Sequence, residues 1–437
     1  MTTEPITHRR VLVIAVPIVL SNATIPILGA VDTAVVGQLG TAAPIGAVGL
    51  GAIVLTSIYW VFGFLRMGTT GLVAQARGAG DAAETGALLM RALMIATAAG
   101  LVFVAAQTLV FAGAFRLAPA SPEVEALARD YLVIRIWGAP ATIAIYALTG
   151  WLIAMERTRG VLALQLVMNG VNIVLDLWFV LGLGWGVPGV AAATLIAECS
   201  GLVLGLWLCR AAFAGDQWRA WSRIFDRAKM RTMASVNGDI LVRSVILQAS
   251  FTSFLFLGAG LGDITLAANQ VLLQFLAITA YALDGFAFAA EAVVGQALGA
   301  RRRADLRRGA ILTSQWAFGG AALLTLALFG FGPALIDLMA TSPDVRAEAR
   351  AYLPWMTVAP IVGVGAWMLD GVFIGATRTR ELRNAMIVSV AIYAVSLPIL
   401  LPTFGNHGLW AALMVLNLAR TVTLAVRYPQ LEATADA

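Results

Sequence analysis

The sequence predicts an all-α polytopic membrane protein of twelve transmembrane helices in two homologous six-helix lobes. Three observations carry that expectation: composition, a series of long apolar runs, and an internal repeat. Of 437 residues, 60% are apolar and 12% charged, against roughly 45–50% and 25% in soluble domains. The mean hydropathy is +0.86. Lipid offers the backbone no hydrogen-bond partners, so only helices or closed barrels cross it. The alternation of a barrel strand is absent, and the 43 Gly and 15 Pro are spread through apolar runs, as helix bundles in membranes tolerate.

Each crossing needs about 20 mostly apolar residues. Polar or turn-rich breaks divide the chain into spans near 11–38, 45–75, 86–115, 124–155, 161–183, 190–210, 230–257, 264–298, 308–338, 345–376, 384–401 and 409–426. The first run exceeds the roughly 7–15 apolar residues of a signal peptide and contains Asn22 and Asp32, so it is expected to remain in the mature protein. About two thirds of the 29 Lys and Arg residues lie in alternate connections, among them Arg9, Arg77, Arg157, Arg227, Arg303 and Arg378. The positive-inside rule then places both termini in the cytoplasm, across a bacterial inner membrane. A net charge of +5 is this topology signal plus attraction to membrane lipids, and implies no nucleic-acid partner.

Residues 75–79 read QARGA and residues 296–300 read QALGA. At the same offset Ser121-Pro122 returns as Ser342-Pro343, Tyr131-Leu132 as Tyr352-Leu353, Gly150 as Gly371, and Arg157-Thr158-Arg159 as Arg378-Thr379-Arg380. Collinear matches over four spans imply two homologous halves. Six spans return each half to the same side, so the halves are parallel repeats about an axis along the membrane normal, as in secondary transporters with a central cavity. The expected organisation is a lobe at 1–212, a cytoplasmic linker at 213–229 and a second lobe at 230–437. Trp218, Trp221, Ile224 and Phe225 amid arginines predict a linker helix lying in the membrane interface.

A charge at the bilayer centre costs ~2.5–3.5 kcal/mol, which makes any ionisable residue in a span a functional candidate. Asp32 lies in span one, on nearly the same face as Ser21. Between them Pro26 leaves the Asn22 carbonyl without a donor and Gly29 adds slack, which predicts a hinge. In span five, Gln165, Asn169 and Asn172 fall about −20°, +20° and −40° around the helix from Asp176. That stripe suits a hydrated, cation-attracting wall. Thr194 and Glu198 share a face of span six, and Arg135, Thr142 and Tyr146 a face of span four, with Arg135 a counter-ion for a carboxylate. In the second half Asn237, Ser244 and Gln248 line span seven, and Asp284 and Glu291 share a face of span eight. Asp239 and Arg243, four apart, are expected to neutralise each other. Asp370, just before a basic connection, suits an interfacial or a buried role equally.

Metal and redox chemistry have no residues to use. The two histidines, His8 and His407, are far apart, and Cys199 and Cys209 would stand ~15 Å apart along a helix, too far for a disulfide. Residues 184–189 fit GxGxxG but join two membrane helices, so a tight turn is expected. No P-loop, HExxH or GxSxG motif occurs. No metal and no cofactor is expected.

The chain resembles the MATE (multidrug and toxic compound extrusion) family, and within it the DinF-like branch. The resemblance rests on Val31-Asp32-Thr33 followed by Gly37-Gln38-Leu39-Gly40, on Asn172 and Asp176 followed by Gly189 and Thr194, and on LDGFAFAAE at 283–291. It implies a MATE-like fold and an antiporter, not an enzyme, exporting small amphipathic, often cationic compounds by alternating access, driven by a proton or sodium gradient. Asp32, Asn172, Asp176 and Thr194 look like the family's proton and cation coupling site. Gln165, Asn169, Tyr146, Glu198, Asn237, Gln248, Asp284 and Glu291 are the candidates for the substrate cavity. The NorM-like branch has a sodium-binding carboxylate in span seven where this chain is apolar around Ile246, which favours protons. A monomer is expected. A flippase for an amphipathic or lipid-linked substrate is the alternative, and an intramembrane enzyme using Asp284 and Glu291 is a more distant one.

Overall fold

The computed structural model describes residues 5–214 and 217–436. Among them twelve helices are long and apolar enough to cross a membrane. They are α1 (His8–Gly37), α2 (Ala42–Gly78), α3 (Ala82–Ala105), α4 (Pro122–Ala154), α5 (Thr158–Gly182), α6 (Gly186–Leu208), α7 (Arg227–Ala259), α8 (Asp263–Gly299), α9 (Arg303–Met339), α10 (Pro343–Gly375), α11 (Thr379–Phe404) and α12 (Asn406–Ala425). Large apolar side chains such as Leu326, Phe329, Phe331 and Leu338 of α9 stand exposed. In water that would be an aggregation hazard, whereas in lipid it is the ordinary outer surface of a span.

Local chemistry sets the helix ends. Thr7 Oγ1 accepts the Arg10 N–H at the start of α1, Asp81 Oδ1 accepts the Glu84 N–H at the start of α3, and Ser121 caps α4 with Pro122 in its first turn. α4 and α10 end alike: Glu156 and Thr377 are left-handed, and the next amides, Arg157 and Arg378, bond back to the Leu152 and Phe373 carbonyls. These are matching positions of the repeat. Gly80 and Arg301, another matched pair, are also both left-handed. Of the 184–189 segment expected as a tight turn, only 184–185 turn, with Gly184 and Gly186 at positive φ, and from Gly186 the chain is already α6.

The chain forms two compact units. One comprises Leu20–Val73 and Asp81–Arg231; the other comprises Met1–Val19, Ala74–Gly80 and Thr232–Ala437. The second unit therefore takes in the start of α1 and the end of α2. Arg10 donates to the Gln296 side chain (2.9 Å), and Gln75 Nε2 to the Gly375 carbonyl (3.1 Å) and Thr377 Oγ1 (2.9 Å). The two QAxGA motifs meet here reciprocally: Gly78 lies against the Gln296 backbone, and Gly299 against that of Gln75. A Cβ at either glycine would collide with a carbonyl, so the crossing needs both. The apolar core of this unit centres on Phe254 stacked edge-on to Trp410, whose indole donates to the Asn269 side chain.

In the first unit α3 is bound to the segment that follows α6. In place of one long helix, its described residues form three short helical pieces, the 3-10 turns Arg210–Phe213 and Gln217–Arg219 and a single α-helical turn Trp221–Ile224. Trp221 and Phe225 are exposed as an interface would require, yet Ile224 is fully buried. The reason is Arg91 of α3, itself buried, which donates to the Ile224 and Arg223 carbonyls (2.7 and 2.6 Å) and to Glu84 (2.7 Å). Lys229 also binds Glu84, and Arg223 pairs with Asp81 (3.0 Å). Unpaired carbonyls at the turn ends find their donors in this arginine, which anchors the turns to α3.

Candidate functional site

Within the first unit the polar faces of α1, α4, α5 and α6 converge. Asp176 closes the α-helical part of α5 and is wholly buried; beyond it Leu177–Gly182 widen into a π-helical turn, closed by the Leu183 amide on the Trp178 carbonyl (2.9 Å). The Asp32 carboxyl of α1 lies close enough to the Asp176 carboxyl for the two to interact. Asn172, one turn before Asp176, donates to Thr194 Oγ1 of α6 (3.1 Å), and that hydroxyl donates to the Val190 carbonyl (3.0 Å). One turn earlier still, Asn169 donates to Thr24 Oγ1 of α1 (2.9 Å) and accepts from Gln165 (3.0 Å). The stripe on α5 is therefore a ladder that begins on α1 and ends at a pair of acids.

The acids are left short of donors. Asp32 Oδ1, Asn172 Oδ1 and both oxygens of Asp176 are buried with no hydrogen-bond partner among the described residues. Buried acceptors without donors cost roughly 1–3 kcal/mol each, so the cluster is poised to take up a proton or a cation. Two ionised carboxylates can only repel, whereas a single proton converts the pair into donor and acceptor.

A separate ion pair stands beside it. Arg135 of α4 donates to Glu198 Oε2 of α6 (2.5 Å) and to Tyr131 Oη (3.3 Å), and its charge reaches both aspartates. Gly138, in a 3-10 turn that interrupts α4, lies directly against the Glu198 carboxylate, where a Cβ would collide. Glu198 thus has its counter-ion, whereas Asp32 Oδ1 and both Asp176 oxygens have no donor among the described residues. Tyr146 is half-buried on α4. Pro26 and Gly29 are exposed, no atom lies within 4 Å of a Cβ at Gly29, and α1 runs unbroken through both.

In the second unit the predicted residues differ in burial. Glu291 of α8 is fully buried, Asp284 is half-buried, Asn237 is buried with Oδ1 unpartnered, and Gln248 is exposed on α7. The Asp239–Arg243 pair expected from their spacing does not form. Asp239 instead accepts from Arg383 (2.5 Å) and Thr379 (3.2 Å) of α11, and Arg243 pairs with Asp370 of α10. Asp370 is buried and also binds Arg420 of α12 (2.6 Å). Contacts between helices outcompete the helical neighbour because they shield the charges more fully. Sequence reasoning centred on carboxylates passes over Arg91, Arg420, the buried Arg66 and Thr24, although the insertion cost that marks Asp32 marks the three arginines equally.

Twelve helical spans enclosing buried acids define a multi-pass membrane transporter. Solved MATE structures share the fold: one crystallised in a bent conformation matches with a TM-score of 0.88 at 18% identity, covering 98% of this chain and 96% of its own. A bent form of a Vibrio cholerae MATE transporter gives 0.85 at 18% identity, covering 98% of each chain. The MatE family matches at residues 17–178 and 240–420, and the chain belongs to this family of efflux transporters, not to a family of enzymes. DNA damage-inducible protein F of Escherichia coli strain K12 is 40% identical over 422 residues, 94% of this chain and 90% of its own length. A probable multidrug resistance protein NorM of Synechococcus is 28% identical over 384 residues, 82% and 78% of the respective lengths.

Proposed function

We propose that the protein is a proton-coupled antiporter, acting as a monomer with both termini in the cytoplasm, that exports small amphipathic, often cationic compounds. The observation that carries this reading is the Asp32–Asp176 pair, whose buried oxygens lack donors while the neighbouring Glu198 is already neutralised by Arg135. A proton arriving at the pair replaces repulsion by a hydrogen bond. That gives the two protonation states different energies in any conformation that alters the distance between α1 and α5, which is the requirement for coupling. Span seven is apolar around Ile246, where the NorM-like branch has a sodium-binding carboxylate, which favours protons over sodium. The drug-like substrate class rests on the kinship with multidrug resistance proteins. Alternating access by the six-helix halves at 1–212 and 230–437, joined by 213–229, follows from the sequence repeat.

Reconstituted vesicles loaded with a fluorescent cationic amphiphile test the coupling. A proton gradient alone is expected to drive its movement, and a sodium gradient alone is not. Transport driven by sodium and indifferent to protons would reassign the oxygens of Asp32 and Asp176 to a sodium ion.

A further inference from the structure

At the basic end of α9 the second unit carries two adjoining cavities that the transport reading does not use. The first, of about 800 Å³, is lined by Arg302, Arg303, Arg307 and Arg308 and by the acids Asp305, Glu432 and Asp436. The second, of about 740 Å³, runs along α9 toward the apolar part of the span, with Ile311, Phe318, Leu369 and Val372 in its wall. Arg307 and Ile311 line both, so the two form one site, polar at one end and apolar at the other. Both volumes are of ligand-pocket size, roughly 300–1,000 Å³.

The charges at the polar end are unevenly spent. Arg303 is held by Glu432 (3.2 Å) and Asp436 (2.9 Å) of the turns after α12, and Arg302 lies 3.6 Å from Asp305. Arg307 and Arg308 are exposed and form no ion pair among the described residues. The hydroxyl of Tyr428, in the wall of the apolar cavity, feels the charges of Glu432 and of Arg307 and has no hydrogen-bond partner among the described residues. Two unspent guanidiniums and a phenol donor therefore meet where an arginine-lined basin opens into a greasy groove. Arg307, Ile311 and Phe318 follow at helical spacing along one face of α9, leading from charge to hydrocarbon.

We propose that this is a binding site for an anionic phospholipid, with its phosphate between Arg307, Arg308 and Tyr428 and an acyl chain along Ile311 and Phe318. A free phosphate has no use for the apolar groove, and a neutral lipid has none for the surplus charge. Basic pockets between spans take lipid headgroups in this way, each arginine contributing about 1 kcal/mol, or roughly fivefold in affinity.

The full-length protein in a non-ionic detergent is titrated with phosphatidylglycerol, phosphatidylcholine or inorganic phosphate while its melting temperature is followed. Phosphatidylglycerol is expected to raise the melting temperature saturably, and the other two are not. The double variant R307Q/R308Q should bind phosphatidylglycerol about 25-fold more weakly, while R219Q, on the exposed turn before α7, should bind as the parent does. If the double variant does not fold, R307Q and R308Q singly should each lose about fivefold. An equal shift with phosphatidylcholine, an equal shift with inorganic phosphate, or unchanged affinity in the arginine variants overturns the assignment.

Discussion

Asp176 has no exposed surface and two oxygens without donors among the described residues, which makes it the site to test first. Its partner Asp32 completes a site that one proton satisfies. Asp32→Asn supplies a permanent amide donor, so the pair behaves as if always protonated. The variant is expected to fold and to insert normally but to lose proton-driven efflux, at least tenfold in initial rate, as read in vesicles with an imposed gradient. Undiminished transport with its proton dependence intact would remove Asp32 from the mechanism. Arg91 presents the opposite case, a buried charge fully occupied with Glu84 and two carbonyls. Arg91→Ala leaves Glu84 to Lys229 and the more distant Arg223, and two carbonyls without donors, for an expected loss of about 3 kcal/mol, measured by denaturant unfolding in micelles.

Among the elements, the junction into α7 shows how local chemistry sets a boundary. Asp226 accepts the Lys229 N–H (2.9 Å) ahead of the first turn, and this backbone hydrogen bond holds its carboxyl below the usual carboxylate value. Because the folded value is the lower one, the contribution is present in full above the ordinary carboxylate range of about 4. It is lost as pH falls through the lowered folded value. The protection of the amides at 227–230 against hydrogen exchange, relative to their intrinsic rates, is therefore expected to fall on acidification below about pH 4, and Asp226→Ala should show the lower protection already at neutral pH. Equal exchange in the two proteins at neutral pH would mean that the cap does not hold the turn. α5 behaves differently. Its π-helical turn comes directly after Asp176 and runs to the end of the helix at Gly182, so the acid marks where the helix loosens.

For the whole molecule, a cationic substrate and protons should compete for the same acids, since a ligand shifts a conformational equilibrium only through its differential affinity for the two states. Protonation removes the negative charge that attracts the cation and spares the carboxylate the ~2.5–3.5 kcal/mol cost of lying charged in the membrane. Affinity for a cationic substrate is therefore expected to fall as pH is lowered from about 8 to about 5, an interval above the ordinary carboxylate value. The measurement is a binding titration in detergent at fixed ionic strength, and an affinity that stays flat over the interval leaves the competition without support.

The apolar runs, their lengths and the repeat were enough to establish twelve helices, because insertion into lipid depends on summed side-chain transfer energies that are local in the chain. Helical period alone put Gln165, Asn169, Asn172 and Asp176 on one face, and cost alone singled out Asp32. Which faces meet is another matter. Asn169 finds Thr24 across 145 residues, Arg135 finds Glu198 across 63, and Asp239 chooses Arg383 over a neighbour one turn away. Periodicity says which side of a helix is polar but carries no term for the partner opposite. Tertiary packing decided those pairings, because in a low-dielectric interior each buried charge takes the partner that packing shields best from solvent and lipid.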